Sequence, residues 1–313
     1  VLASGKLMRS GILLKSGSAL ERLASITHAV FDKTGTLTLG KPELLGKGTY
    51  SAVDFQLAAS LAAHSKHPLS QAICAAYAGP LLPLTVREVQ GCGLEADGMK
   101  LGKRAWATQM PDDAETIMEL WLAVEGRPPV RFTFADQLRT DTKEVIARLQ
   151  QAGIATLLLS GDRQEITRDL AATLGIAHAE GALSPVQKTE KIAALKASGA
   201  QVLMVGDGLN DAPSLASATV SMSPASAMDI TQNAADIVFQ GKRLQPVVTA
   251  WETATFAQAL VKQNFALAIL YNVIAIPLAV AGLVTPLIAA IAMSSSSLLV
   301  IGNAMRLNLK GRV

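Results

Sequence analysis

The run Thr27-His28-Ala29-Val30-Phe31-Asp32-Lys33-Thr34-Gly35-Thr36-Leu37-Thr38 decides how the chain is read. Its first five residues have the pattern of a short buried strand, which stops at a carboxylate and passes into a loop of small and hydroxylic residues. Ligands of open α/β sheets bind at the carboxyl ends of strands, so Asp32 stands where chemistry is done. Outward from it, strand and helix alternate. Residues 141–151 have helical periodicity through Val145, Ile146 and Leu149, and residues 154–159 form an apolar strand ending at Ser160-Gly161-Asp162. Residues 165–174 and 185–197 read as helices, and residues 201–205 as a strand ending at Gly206-Asp207-Gly208. Strands and helices joined by short connections predict a parallel, doubly wound sheet with its acidic and hydroxylic strand ends gathered on one edge.

Between the first strand and the rest lies a segment of different texture. After Lys41-Pro42, residues 55–77 are alanine-rich and helical, interrupted at His67-Pro68. Residues 86–106 read as short strands broken by Gly91, Gly93, Gly98 and Gly102, and Gly126-Arg127-Pro128-Pro129 punctuates the far side. This is predicted to be a second domain inserted into the first. Before it, residues 1–27 read as helices on either side of a turn at Ser16-Gly17-Ser18.

Half of the 313 residues are apolar, unevenly spread: from Gln263 to Met305 there is no Asp, Glu, Lys, Arg or His. A charge-free run of that length suffices for two bilayer crossings of about 20 residues each. It divides at Gly282-Leu283-Val284-Thr285-Pro286 into helices predicted at 263–281 and 286–305, the first kinked by Pro277. Lys242, Arg243 and Lys262 precede the pair and Arg306, Lys310 and Arg312 follow it, which predicts that both ends are cytoplasmic. The net charge of +3, without an arginine stripe or aromatic platform, excludes nucleic acid as the expected partner. Cys74 and Cys92 lie far apart with no CxxC, so neither a disulfide framework nor a zinc site is expected, and the soluble part suits a reducing cytosol. The chain starts at Val1 with no signal peptide, as expected of a piece that begins partway through a longer protein.

The strand-end residues suit phosphoryl transfer, which needs a nucleophile, a cation and donors around the transferring oxygens. Asp32 can attack as a carboxylate, and Asp207 can hold Mg²⁺, a cation that prefers hard oxygen ligands. Ser160 and the Gly161 amide are suited to cradle a phosphate, and Lys188 to neutralise one of its oxygens. Any one of these alone reads as an ordinary loop residue. All of them in order along one α/β pattern point to a site.

These residues carry a resemblance. Asp32-Lys33-Thr34-Gly35-Thr36-Leu37-Thr38 resembles the phosphorylation motif of P-type ATPases, and Met204-Val205-Gly206-Asp207-Gly208-Leu209-Asn210-Asp211-Ala212-Pro213 resembles their hinge motif. Ser160-Gly161-Asp162 is similar to their third motif, with Ser for the commoner Thr, and Pro185-Val186-Gln187-Lys188 supplies the phosphate lysine. The family has a haloacid-dehalogenase-like fold. The resemblance therefore implies an α/β Rossmann-type phosphorylation domain with an inserted α+β nucleotide-binding domain, followed by a transmembrane hairpin. It divides the chain into 1–41 (lead-in and first part of the phosphorylation domain), 42–126 (nucleotide domain), 127–255 (second part) and 256–313 (two membrane helices and tail). It implies that Asp32 attacks the γ-phosphate of ATP, with Mg²⁺ between Asp32, the Thr34 carbonyl and Asp207, and with Asn210 and Asp211 supporting that metal edge. Lys33, Ser160, Gly161, Asp162 and Lys188 complete the catalytic set.

Within the insert, Ser65-Lys66-His67-Pro68 resembles the His-Pro signature of the heavy-metal branch, whose histidine contacts adenine, and Gly91-Cys92-Gly93 resembles its glycine pair. The branch commonly has Glu where this chain has Lys66, and a further Glu where this chain has Ala62 or its neighbours. In the membrane pair, Tyr271-Asn272 followed by Met293 with Ser296 and Ser297 is similar to the copper(I) subgroup, and a thioether suits that soft ion. The implied copper ligands are Tyr271, Asn272, Met293 and Ser297. A finer resemblance, through residues 220–227 and 296–300 and the basic residue before His67-Pro68, is to bacterial copper pumps for haem–copper oxidase assembly.

The implied activity is ATP-driven copper(I) export across the inner membrane, with catalytic domains in the cytoplasm. The implied partners are the lipid bilayer, the actuator and remaining membrane segments of the same pump, and a copper chaperone or periplasmic acceptor. The family's Thr-Gly-Glu actuator loop and Cys-Pro-Cys are absent from these residues, so the piece alone is expected to move no metal. Three alternatives stay open. Zinc or cadmium transport is one, though no acidic residue lies in either helix. A stand-alone phosphatase is another, though Thr34 occupies the place of the usual second Asp. The third is a non-catalytic nucleotide-binding module.

Overall fold

A computed structural model describes residues 2–111, 118–206, 211–224 and 234–309. Two units emerge from it: residues 1–37 together with 139–313, and the inserted Thr38–Leu138. The first opens with α1 (Leu2–Arg9), β1 (Ile12–Leu14) and α2 (Ser18–Ala24) before reaching β2 (His28–Asp32). The three-residue β1 is too short to leave a period in the sequence, which is why residues 1–27 read as helices on either side of a turn with no strand between them. In β2 all but the first residue are buried, as expected for the middle of a sheet covered on both faces.

The inserted unit comprises β3 (Thr38–Leu44), α3 (Ala52–Ala62), α4 (Pro68–Ala76), β4 (Arg87–Val89), β5 (Gly93–Ala96), β6 (Met99–Gly102), α5 (Arg104–Thr108), β7 (Met118–Val124) and β8 (Val130–Leu138). Its strands form one antiparallel sheet in the order β3-β8-β7-β6-β5-β4. Leu61, Ile73, Leu101, Leu122 and Phe132 make its core, where Tyr50 stacks on Phe132 with ring centroids 4.4 Å apart. The unit is wider than the 42–126 read from composition. Gly126-Arg127-Pro128-Pro129 does not end it but turns β7 into β8, which runs back to pair with β3 from Thr38↔Leu138 to Leu44↔Phe134. Glycine and proline punctuate a hairpin as readily as a domain boundary.

The chain re-enters the first unit through α6 (Thr142–Gln151), β9 (Ala155–Leu159), α7 (Gln164–Leu174), β10 (His178–Glu180), α8 (Pro185–Ala197), β11 (Val202–Val205), α9 (Ala212–Ser217), β12 (Val220–Pro224) and β13 (Ile237–Phe239). The sheet order is β1-β13-β12-β11-β2-β9-β10, parallel except for β1 against β13. Construction runs outward from β2 to β10, then returns to the other side of β2 for β11 to β13. That reversal makes a crevice beside the carboxyl end of β2, the place where such sheets bind ligands.

Two long helices follow, α10 (Gln245–Val280) and α11 (Pro286–Leu309), both long and apolar enough to cross a bilayer. The first starts well before the predicted 263. Its opening turns bury Val247, Val248, Ala250 and Ala254, and beyond Lys262 its apolar residues, such as Phe265, Ile269 and Val273, are exposed. Polar Glu252 and Lys262 interrupt the hydropathy and hid this continuity from the sequence. Pro277 lies in the last turn of α10. Among the polar groups of the pair, the Asn303 amide donates to Asn264 Oδ1 at 2.9 Å, tying the helices together.

Candidate active site

Each element that points at the crevice starts or stops there for a local reason. β2 ends on Asp32, and its partner β9 ends one residue short of Ser160, in the register Asp32↔Leu159. Helix α8 begins with a reciprocal cap: Ser184 Oγ accepts from the Gln187 amide and Gln187 Oε1 from the Ser184 amide, with Pro185 first in the helix. That fixes the first turn so that Lys188 enters the crevice. There Lys188 Nζ lies 2.6 Å from Asp32 Oδ1 and 2.8 Å from Asp211 Oδ1. Asp211 precedes α9 but makes no side-chain cap; its carboxylate goes to the lysine instead. All three residues are at least 94 % buried, with exposures of 5 % for Asp32, 6 % for Lys188 and 2 % for Asp211.

Burial pushes the Asp32 carboxyl up, to about 7; the Asp211 charge adds to the rise and Lys188 opposes it. Burial works against the Lys188 ammonium, but the two carboxylates outweigh it and raise its pKa above the ordinary lysine value. Two carboxylates to one ammonium leave the cluster with an excess of acceptors. Oxygen donors in negative excess fit a divalent cation such as Mg²⁺. Asp207 and Asn210, the other residues read as serving that cation, lie outside the described residues.

Around the cluster, Ser160 is 2 % exposed and its Oγ accepts from the Asp162 amide at 3.1 Å, leaving its own proton free to donate. Gly161 has room for a side chain, with Leu183 O the nearest atom at 3.6 Å, so its presence is not forced by packing. Lys33 forms an ion pair with Asp162, joining two of the catalytic candidates across the strand ends. After Asp32 the loop reverses at Gly35, whose φ of +70° suits glycine. The loop is held by Arg139, which sequence reasoning did not single out: its guanidinium, 4 % exposed, donates to Gly35 O at 2.8 Å and Thr36 O at 2.7 Å. A lone Arg between a strand and a helix carries no signal in a single sequence. The Thr36 hydroxyl, in the same loop, is buried and has no partner among the described residues.

In the inserted unit, His67 caps α4: its Nδ1 accepts from the Leu69 amide at 3.3 Å, and Pro68 is the first helical residue. This assigns the ring proton to Nε2, which is left for a ligand. Ser65 Oγ receives the His67 amide at 3.1 Å and lies 3.2 Å from Glu88 Oε1 on β4. Since β4 pairs with β5 at Val89↔Gly93, that contact brings the His67 loop to the hairpin carrying Gly91, Cys92 and Gly93. A Cβ on Gly93 would sit 2.3 Å from Leu101 O, and one on its partner Gly102 would sit 2.3 Å from Cys92 O. Gly93 is therefore required by backbone approach, and Gly102 is its counterpart. Glu88 was also missed; an exposed acid on a short strand looks like surface.

In the helix pair, Tyr271, Asn272, Ser295 and Ser296 line a space of about 480 Å³ between α10 and α11. Met293 and Ser297 are not among its lining residues. Met293 is 66 % exposed, and its carbonyl accepts from the hydroxyls of Ser296 at 3.0 Å and Ser297 at 3.1 Å.

Residues 26–219 match the family described as haloacid dehalogenase-like hydrolase. Nitrogen fixation protein FixI of Rhizobium leguminosarum bv. viciae is 48% identical over 98% of this chain and 42% of its own length. The probable copper-transporting ATPase SynA of Synechococcus sp. is 37% identical, again over 98% of this chain and 42% of its own length. A zinc-transporting PIB-type ATPase in its E2.Pi state has the same fold with a TM-score of 0.84 at 28% identity, over 98% of this chain and 54% of that one. The chain thus spans less than half the length of the curated relatives named here. With its acidic cluster at the switch point of a parallel sheet and two membrane-length helices behind it, the chain belongs to the haloacid dehalogenase-like hydrolases, and over 98% of its length it is similar to metal-transporting ATPases.

Proposed function

We propose that this chain is the catalytic C-terminal portion of a copper(I) exporter driven by ATP through an aspartyl phosphate. The observation that carries the reading is the single buried ammonium of Lys188 held between Asp32 and Asp211 at the switch point. Asp32 is the nucleophile: one carboxylate oxygen bonds to the γ-phosphorus as the bond to the bridging oxygen breaks, and ADP leaves with that electron pair. Lys188 and Ser160 hold the oxygens of the transferring group, and the Gly161 amide completes the cradle. Lys33 and Asp162 keep the two loops in register through their ion pair. Asp32, the Thr34 carbonyl and Asp207 would hold Mg²⁺, supported by Asn210 and Asp211. Bound there, the cation supplies positive charge against the phosphoryl oxygens.

The residue two places beyond the nucleophile is Thr34, which offers no general acid, so the acyl phosphate persists long enough to drive a conformational change. This favours a pump over a stand-alone phosphatase. In the inserted unit, His67 with Pro68, Gly91 and Gly93 is the nucleotide site, His67 presenting Nε2–H to the base. Tyr271, Asn272, Met293 and Ser297 serve the transported ion, copper(I), and the names of relatives such as SynA support that choice. The zinc-transporting structural neighbour makes zinc(II) the second reading. The helices lie in the inner membrane as part of a multi-pass protein, with both soluble units cytoplasmic. The other partners are the actuator and remaining membrane segments of the same pump and a copper chaperone or periplasmic acceptor.

Substitution of Asp32→Asn in the full-length protein tests the mechanism. Acid-stable labelling by γ-labelled ATP is expected to disappear, and labelling that survives would sink the assignment.

A further inference from the structure

The loop after Asp32 and the start of α10 meet at one short segment, residues 139–142. The Arg139 guanidinium donates to the carbonyls of Gly35 and Thr36 on one side and to Gly241 O, at 3.1 Å, on the other. The Arg139 amide and the Thr142 hydroxyl both reach Leu37 O, at 2.9 and 3.1 Å. Asp141 faces the other way. Its carboxylate, 3 % exposed, accepts from the Leu244 amide at 2.9 and 3.0 Å and from the Gln245 amide at 2.8 Å, with Arg243 Nε 3.4 Å away. Those amides open α10, and the unpaired N–H groups of a helix start favour a carboxylate by hydrogen bonding and by the helix dipole.

Asp141 stands at the N-cap position of its own helix, α6, yet makes no side-chain cap bond there. A buried carboxylate that neglects its own helix and caps another is committed to joining the two. We propose that Asp141 is a positioning residue that fastens the membrane-spanning helix α10 to the loop following Asp32, with Arg139 as the tie between them. The inference rests on Asp32 being the phosphoryl acceptor. Phosphorylation places new negative charge at the head of the loop, and any shift of the Gly35 and Thr36 carbonyls moves the guanidinium that also holds Gly241. Gln245–Val280 is one continuous helix, so displacement at its start is carried along it as a rigid body.

The test uses the full-length pump in lipid nanodiscs, with Asp141→Ala and Asp141→Asn. Asp141→Ala is expected to keep acid-stable label within about twofold of the parent, while its metal-stimulated turnover falls on the order of tenfold, the cost of breaking hydrogen bonds to a buried carboxylate. Asp141→Asn, which keeps one acceptor oxygen, should fall between the two. Label, turnover and melting temperature falling together would indicate a merely structural cap, and unchanged turnover would remove the role; either result overturns the proposal. Should Asp141→Ala not fold, hydrogen exchange of the parent decides. Protection of the Leu244 and Gln245 amides is expected to change when beryllofluoride, an acyl-phosphate mimic, is added with magnesium. Label on Asp32 with exchange unaltered would overturn the clasp alone, whereas a parent that takes no label would overturn the phosphoryl-acceptor reading and the clasp with it.

Discussion

Lys188 is the one cation within hydrogen-bonding distance of both Asp32 and Asp211 among the described residues, so the cluster has no spare positive charge. Removing one partner of a buried ion pair costs about 3–5 kcal/mol, because what remains is an uncompensated buried charge. Lys188→Met would strand both carboxylates, already resisting ionisation at Asp32 through burial and mutual repulsion. The variant is expected to unfold at lower temperature and to lose phosphorylation by on the order of a hundredfold or more, as when a preorganised charge is taken from a transition state. Adding Asp32→Asn should restore part of the lost stability, since one stranded charge then disappears. Thermal unfolding of the two variants side by side checks this, and a double variant no more stable than Lys188→Met would contradict it.

Elements explain what single residues do not. The β5–β6 pairing brings Gly93 opposite Gly102, with no room for a Cβ on either. Gly91, two residues away, has a φ of +74° but nothing within 4 Å of a built Cβ. Gly91→Ala therefore meets only the left-handed penalty of about 1 kcal/mol. Gly93→Ala must push backbone apart and distort the hairpin tied through Glu88 and Ser65 to His67. Calorimetric titration with a nucleotide should show affinity weakened about tenfold or more by Gly93→Ala and appreciably less by Gly91→Ala. Equal losses would detach the hairpin from the nucleotide site.

The same elements show what the sequence could convey. The strand before Asp32 is legible because a fully buried run has a simple composition, and Lys188 because the run Pro185-Val186-Gln187-Lys188 resembles a family motif. The β7–β8 hairpin was read as a boundary because turn chemistry does not distinguish the two. Arg139 and Asp141 stayed hidden because their partners are backbone groups about a hundred residues away, and main-chain acceptors and donors leave no mark in the side-chain pattern.

At the scale of the whole molecule, the proposed preference for copper(I) over zinc(II) follows from α10 and α11, the helices long and apolar enough among the described residues to cross a bilayer. From Gln263 to Met305 they offer amide, hydroxyl and thioether groups and no carboxylate or imidazole. A thioether binds a soft monovalent ion well, whereas zinc(II) is commonly held by carboxylate, imidazole or thiolate groups. The polar lining between the helices, from Tyr271, Asn272, Ser295 and Ser296, is neutral, and Met293 is exposed outside that lining. A dipositive ion would find no compensating charge between Gln263 and Met305, and leaving charge unpaired in a membrane interior is costly. ATP hydrolysis by the full-length protein is therefore expected to rise with copper(I) at least tenfold more than with zinc(II), and Met293→Ala to weaken the copper response by about tenfold without abolishing labelling of Asp32. Stimulation by zinc(II) alone, unaffected by Met293→Ala, would reassign the cargo while leaving the phosphoryl chemistry at Asp32 intact.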